Sequence, residues 1–445
     1  MGGWSWPTGG TLAPGPAPSG MDGSWRPLLA GPRLKQARAA VDEILDSLPA
    51  PQESGWGATL AGGHAGFALA FAYAARGNHG KQGPAWKSRA LAHLETSVAL
   101  LPELRERPGL YAGYSGVAWT VDHLQKMGIL DEPEDLNEAV DSALVQLLEK
   151  NAWRVPCELI DGLAGIGLYA LDRPGGAGSQ KVVRLVLERL LASEHRVLHG
   201  GAGHEAPIDG WTGSRPQEPD GRIDLGVAHG IPGILGFLAS AYGQGHAPAL
   251  PLLERTLTWL LSCRMSHPDG FVFGRWVNPG NSLAMDGCRL SWCYGDLGIA
   301  AVMLGVAKSS GKERWRQVAI HLGSACAERR EPWAGIHDAA LCHGAAGDAH
   351  LFSRLYQETG MARFRDRALE GYDMALGMRR AGTEAGGFLA YIPATEGSEV
   401  EWNPDPGWLN GSAGIALSFL AGMDAGDPGW DRPMLVTGGD VMRQK

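Results

Sequence analysis

What most limits the fold of this chain is a repeat that keeps its phase. Seven times a run of the form Gly-x-x-Gly opens an apolar stretch, with first glycines at Gly63, Gly113, Gly162, Gly230, Gly295, Gly344 and Gly411. The intervals are 50, 49, 68, 65, 49 and 67 residues, which suits a unit of two helices joined by loops of variable length. A chain with 65 glycines produces such matches by chance, but chance does not set all seven at the same point of a larger pattern. Ahead of each run, apolar residues recur three and four apart among many charges, over 34–48, 86–101, 134–149, 180–194, 250–264, 313–329 and 361–379. Such helices keep one face in water. Behind each run comes a stretch almost free of charge, as from Ile231 to Tyr242 and from Gly411 to Ala421, and helices of that kind belong inside.

Seven alternations of charged and uncharged helices read as an all-α fold, an α/α toroid of seven outer helices around seven inner ones. A closed ring leaves no exposed end repeat. The glycines are expected to permit left-handed or tightly turned backbone and to let each inner helix start close to its neighbour. The pattern occupies residues 34–424 as one domain, preceded by a Gly/Pro-rich arm over 1–33 and followed by a tail over 425–445.

Composition narrows the partners. A formal charge of -9 argues against nucleic acid. No transmembrane run is visible, and the start of the chain lacks the basic-then-apolar order of a secretory signal. Six scattered cysteines do not form a disulfide framework; they fit a cytoplasmic chain that uses thiols for metal.

Aligning the repeats on the first glycine shows where the chemistry lies. The residue just before it is Gly62, Ala112, Asp161, His229, Tyr294, His343 or Asn410; one place earlier stand Ala61, Tyr111, Ile160, Ala228, Cys293, Cys342 and Leu409. Equivalent positions of a toroid form a ring at one mouth. Asp161, His229, Cys293, Cys342 and His343 fall in four consecutive repeats, the third to the sixth, and so form an arc. Two cysteines and a histidine give a tetrahedral zinc ion three protein ligands and leave one position open to water or substrate, the arrangement of catalytic sites. Each ligand precedes a helix start, where unpaired N–H groups favour a thiolate. His229 alone would read as a histidine near a helix cap and Asp161 as an N-cap; their ring position makes both candidates for catalysis. Arg289, four residues ahead of Cys293, reaches the same mouth or makes a surface ion pair. Cys157, Cys263, Cys288 and Cys326 lie off the aligned positions and read as packing residues. His64 is off phase and reads as lining the cavity, while His199, His204, His337 and Asp338 read as loop residues.

With these motifs assembled, the chain resembles the lanthipeptide cyclases, the LanC proteins. The likeness is carried by AlaHisGly from Ala228, TrpCysTyrGly from Trp292, CysHisGly from Cys342, AspGlyLeuAlaGly from Asp161 and the sevenfold glycine run, and it covers about residues 34–424. It implies zinc held by Cys293, Cys342 and His343, with Asp161, His229 and Arg289 around it; a catalytic Arg289 rests mostly on the family. The implied reaction closes thioether rings in a precursor peptide whose Ser and Thr residues a separate dehydratase has already dehydrated. A peptide thiolate, its pKa lowered by zinc, adds to the β-carbon of dehydroalanine or dehydrobutyrine. The resulting enolate takes a proton from His229, the candidate acid; Asp161 orients that imidazole or takes the thiol proton, and Arg289 or zinc stabilises the enolate oxygen. The implied setting is cytoplasmic, with a membrane-associated biosynthetic complex as an option.

Larger bacterial members of the family carry a domain inserted between early repeats. Here the second and third runs are only 49 residues apart, which leaves no room for one. The longer gaps, with the stretches from Gly200 and from Glu396 to Trp408, are expected to overhang the mouth and contact the precursor. Three alternatives stand beside this reading. One is a family relative that binds glutathione or adds it to substrate, another a non-catalytic peptide-binding toroid with structural zinc. The third, an α/α-barrel glycosidase with Glu205 and Asp209 as its acid pair, ignores the cysteines.

Overall fold

A computed structural model describes residues 25–436, apart from 78–81, 152–154, 174, 195–221, 266, 268–269, 279–287, 331–333, 381 and 393–398. Among the described residues, fourteen α-helices alternate between two layers. The charged ones are α1 (Gly31–Ser47), α3 (Gly83–Ala99), α5 (Glu138–Asn151), α7 (Ala177–Glu194), α9 (Ala249–Ser262), α11 (Glu313–Glu328) and α13 (Ala362–Gly377). The sparsely charged ones are α2 (His64–Arg76), α4 (Tyr114–Lys126), α6 (Leu163–Asp172), α8 (Ile231–Gly243), α10 (Asp296–Ser310), α12 (Ala345–Thr359) and α14 (Ser412–Met423). Each of these inner helices packs on the next, α2 on α4 and so on to α12 on α14, and α14 returns to α2. The inner ring is therefore closed. Outer helices cover it, and α1 seals the join by packing on α14. The layers follow from side-chain chemistry: α2, α8 and α14 bury nearly every residue, whereas α1 buries only Ala37, Ala40, Val41, Ile44 and Leu45 along one stripe.

The glycine runs work mainly by saving space. Every inner helix is capped by the first glycine of its run in extended backbone, except Gly295, whose φ of 119° suits glycine alone. At the second glycine, a Cβ would strike the carbonyl oxygen six residues earlier, at 1.9 Å for Gly116 and Gly414 and 2.0 Å for Gly347. Close approach is thus the general reason for the motif, and left-handed backbone the exception.

Two short antiparallel strand pairs accompany the helices: β1 (Ile223–Asp224) with β2 (Trp276–Val277), which α8 and α9 separate in the chain, and the hairpin of β3 (Leu389–Ile392) with β4 (Glu401–Pro404). The segment expected as a tail is not a loose end where it is described. Residues 429–434 form a 3-10 turn and, with Leu435 and Val436, are buried inside the ring. Gly429 lies against Tyr73 of α2 and His123 of α4, Arg432 Nε pairs with Asp172 at the end of α6 at 3.0 Å, and Leu435 packs on Gly236 of α8. Asp431 takes two hydrogen bonds from Arg354 of α12, at 2.6 and 2.9 Å, and one with His350 at 2.6 Å. The chain end thus fills the axis between opposite inner helices. At the other end, Trp25 of the arm is buried, and its indole donates to Ala421 O at 2.7 Å.

Candidate metal centre

A ring of backbone hydrogen bonds fixes the mouth, at the positions the repeats align. Ala61 N–H donates to Tyr111 O, Tyr111 to Ile160, Ala228 to Cys293, Cys293 to Cys342, Cys342 to Leu409, and Leu409 back to Ala61, at 2.9 to 3.4 Å. The remaining donor, Ile160 N–H, goes instead to the Glu158 carboxylate at 2.7 Å. Glu158 also accepts Asp161 N–H at 2.8 Å, and its Oε2 lies 3.1 Å from His229 Nδ1. One buried carboxylate thus stands where the ring changes pattern and ties the third repeat to the imidazole of the fourth.

Cys293, Cys342 and His343 converge: one ligand atom from each lies within 4.8 Å of the others. Both thiols are buried and the imidazole is half-buried. The Cys342 thiol, hydrogen-bonded to Cys293, is the largest cause pulling Cys293 well below the ordinary thiol range; burial opposes it, and the His343 and Arg289 charges add to it. Cys342 moves the opposite way, raised by that same bond, by burial and by the charge on Cys293. A divalent cation bound here would take both sulfurs as thiolates and release their protons. His343 Nδ1 is buried without a well-directed hydrogen-bond partner among the described residues, as expected of an atom reserved for a ligand. The donor set fits zinc chemistry.

The surrounding groups are built from loops before the inner helices. Asp161 is exposed at the mouth, and a Cβ on Gly109 of the preceding repeat would come within 2.8 Å of its Oδ1. Arg289 packs its stem on Gly335, which has a φ of 65°. Tyr294, next to Cys293, donates its hydroxyl to Asp224 Oδ2 at 2.6 Å, and its ring lies on Gly226. Behind the cluster, Trp292 donates its indole N–H to Met434 O at 2.8 Å and Tyr111 its hydroxyl to Pro433 O at 3.0 Å. The buried chain end therefore forms the floor of the site.

Several sequence expectations shift. His229 meets the carboxylate of Glu158, a residue the repeat alignment passes over because it sits three places ahead of the aligned column. Asp338 is buried, accepts Ala340 N–H and Tyr391 N–H, and lies 3.9 Å from His343 Nε2, so it is more than a loop residue. His64 pairs with His93 of outer helix α3, Nδ1 to Nδ1 at 3.0 Å, rather than lining the cavity. Cys157, Cys263, Cys288 and Cys326 are buried and in no disulfide, as packing residues should be. His199, His204, Glu205, Asp209 and the stretch from Gly200 lie outside the described residues.

Fold and site together define a class: helical toroids that converge two thiols and an imidazole at one mouth. The chain belongs to the lanthionine synthetase C-like family, whose model matches residues 54–435. Among solved structures it is similar to nisin cyclase, with a TM-score of 0.67 and 18% identity, covering 90% of this chain and 98% of that one. It is also 26% identical to the Danio rerio protein "Glutathione S-transferase LANCL1" over 159 residues, 36% of each chain. That alignment spans only about a third of the curated relative's length. No helix among the described residues is long and apolar enough to cross a membrane.

Proposed function

We propose that this protein is a zinc-dependent lanthionine cyclase that closes thioether rings in a dehydrated precursor peptide. The observation that carries the reading is the convergence of Cys293, Cys342 and His343 at the mouth of this family's toroid. Those three residues would hold zinc, which when bound lowers the pKa of a substrate thiol so that it adds as thiolate at neutral pH.

The chain's own groups supply the rest. His229 would hand a proton to the α-carbon after addition, with Glu158, 3.1 Å from its Nδ1, orienting the ring. Arg289, whose charge is felt at both thiols, would stabilise the enolate oxygen. Asp161, exposed at the same mouth, receives the thiol proton or passes it to solvent. The precursor and a separate dehydratase are the partners this chemistry requires. None of the six cysteines, all described, is in a disulfide, which suits the cytoplasm.

Ring closure leaves mass unchanged, so the test counts thiols. Zinc-loaded protein is incubated with a peptide carrying one cysteine and one dehydroalanine, and the product is alkylated and weighed. Loss of the alkylated form is expected; persistence of every free thiol defeats the reading. A second reading, glutathione addition, is favoured by the likeness to the zebrafish protein named for that activity. Supplying glutathione in a parallel reaction separates the two, because the adduct gains the mass of glutathione.

A further inference from the structure

The hairpin of β3 and β4 carries an unusual load of exposed apolar surface. Among the described residues six large hydrophobic side chains are exposed, and three are here: Ile392, Val400 and Trp402, each 43% exposed. Val98, Leu136 and Leu191 are scattered elsewhere. Isolated exposed apolar residues need no explanation, but Val400 and Trp402, two residues apart beside the candidate mouth, with Ile392 on the opposite face across from Glu401, do.

The hairpin is anchored to that mouth. Tyr391 N–H donates to Asp338 Oδ2 at 2.9 Å, and the same oxygen lies 3.9 Å from His343 Nε2. Tyr391 stacks on His337, with Trp402 edge-on to it. Beneath the hairpin is a cavity of about 240 Å³ whose walls include Asp338, Met378, Phe388, Leu389 and Trp402. Apolar wall, cavity and metal-ligand set are thus continuous through one carboxylate.

Register shows which edge is available. Tyr391 faces Trp402 across the ladder, and its N–H is spent on Asp338, so this is a non-hydrogen-bonded pair. Trp402 therefore turns its own N–H and C=O to the outer edge of β4, where the two-stranded sheet ends. Pro404, with no N–H, limits that edge to a short pairing.

We propose that this hairpin docks the stretch of substrate peptide flanking the reacting cysteine, held extended along β4 with an apolar side chain against Trp402. The proposal rests on the cyclase reading for its occupant: a thiol delivered to Cys293, Cys342 and His343 brings its neighbours here, at about 3.3 Å of chain per residue. Dehydrated residues are planar and apolar, which suits an extended strand on an aromatic wall. The exposed carboxylates of Glu399 and Glu401 favour a peptide bearing lysine or arginine close to that stretch.

The test is binding, read by fluorescence anisotropy on the zinc-loaded protein. The probe is a short fluorescein-labelled peptide of alternating valine and threonine with one cysteine and two lysines; it has no unsaturated residue, so its binding can fail while ring closure succeeds. Trp402→Ala is expected to weaken the probe about tenfold, the loss of one aromatic anchor. Glu401→Lys, at an exposed position, is expected to weaken the lysine-bearing probe and spare a lysine-free version, which keeps the proposal testable if Trp402→Ala loosens the hairpin. Exchanging the probe's cysteine for serine should leave measurable, Trp402-dependent binding. Equal binding by wild type and both variants, or no binding at all once the cysteine is gone, overturns the proposal.

Discussion

One ring of backbone serves two unlike arcs. In repeats seven, one and two the aligned positions hold Asn410, Gly62 and Ala112; in repeats three to six they hold Asp161, His229, Tyr294 and His343, with Cys293 and Cys342 one place earlier. The same carbonyl-to-amide links run through both, from Leu409 to Ala61 to Tyr111 on one side and from Ala228 to Cys293 to Cys342 on the other. Scaffold and chemistry are therefore separable. The fold asks for glycine at every repeat and a backbone link at all but the third, and the candidate chemistry lies on the few side chains that differ between the arcs.

That separation can be broken most sharply at the thiols. Cys342→Ala is expected to abolish stoichiometric zinc binding and ring closure while the helical signal by circular dichroism stays unchanged; zinc retained at one per chain would contradict it. Next comes the imidazole. His229→Asn should lower the turnover rate by about 10²–10⁴-fold with zinc still bound, the range for a lost general acid. Glu158→Gln, acting through His229, should cost about 10–100-fold, with a changed pH profile that a merely structural role would not produce. In the silent arc the effect should reverse in kind. A Cβ at Gly113 would lie 2.2 Å from Arg107 O, so Gly113→Ala is expected to cost about 1–3 kcal/mol by denaturant melting and leave zinc affinity alone.

The smallest effect concerns acid. Burial holds His93 down to about 3 and His123 down to about 4, from an ordinary 6.5. Folded-state values below the unfolded one mean that the unfolded chain takes up protons first. Stability from these groups is complete above about pH 6.5 and falls as pH drops toward 4. Melting temperature against pH should show that slope, and His123→Asn should flatten it.

Much of this was legible because a repeat supplies its own alignment. The alternation of charged and uncharged stretches placed the outer helices within a few residues, and the columns before each glycine brought Cys293, Cys342 and His343 together without any relative for comparison. Glu158 and Asp338 were not legible. Each belongs to a loop whose side chain folds back on nearby amide groups, and spacing does not reveal a carboxylate that takes a carbonyl's part. The chain end was misjudged for a different reason. GlyTrpAspArgProMet from Gly429 has the composition of a loose segment, and its partners Arg354 and His350 on α12 and Asp172 on α6 show where it goes.

That buried chain end also sets the traffic through the molecule. With Trp430, Met434 and Leu435 lodged down the axis, the toroid is a cul-de-sac rather than a tunnel. On the cyclase reading a peptide would not be threaded through it; each cysteine would be presented from one side as a loop and withdrawn by the way it came. Successive rings would then take successive visits, and a product ring too bulky to pass a pore would be no obstacle to the next.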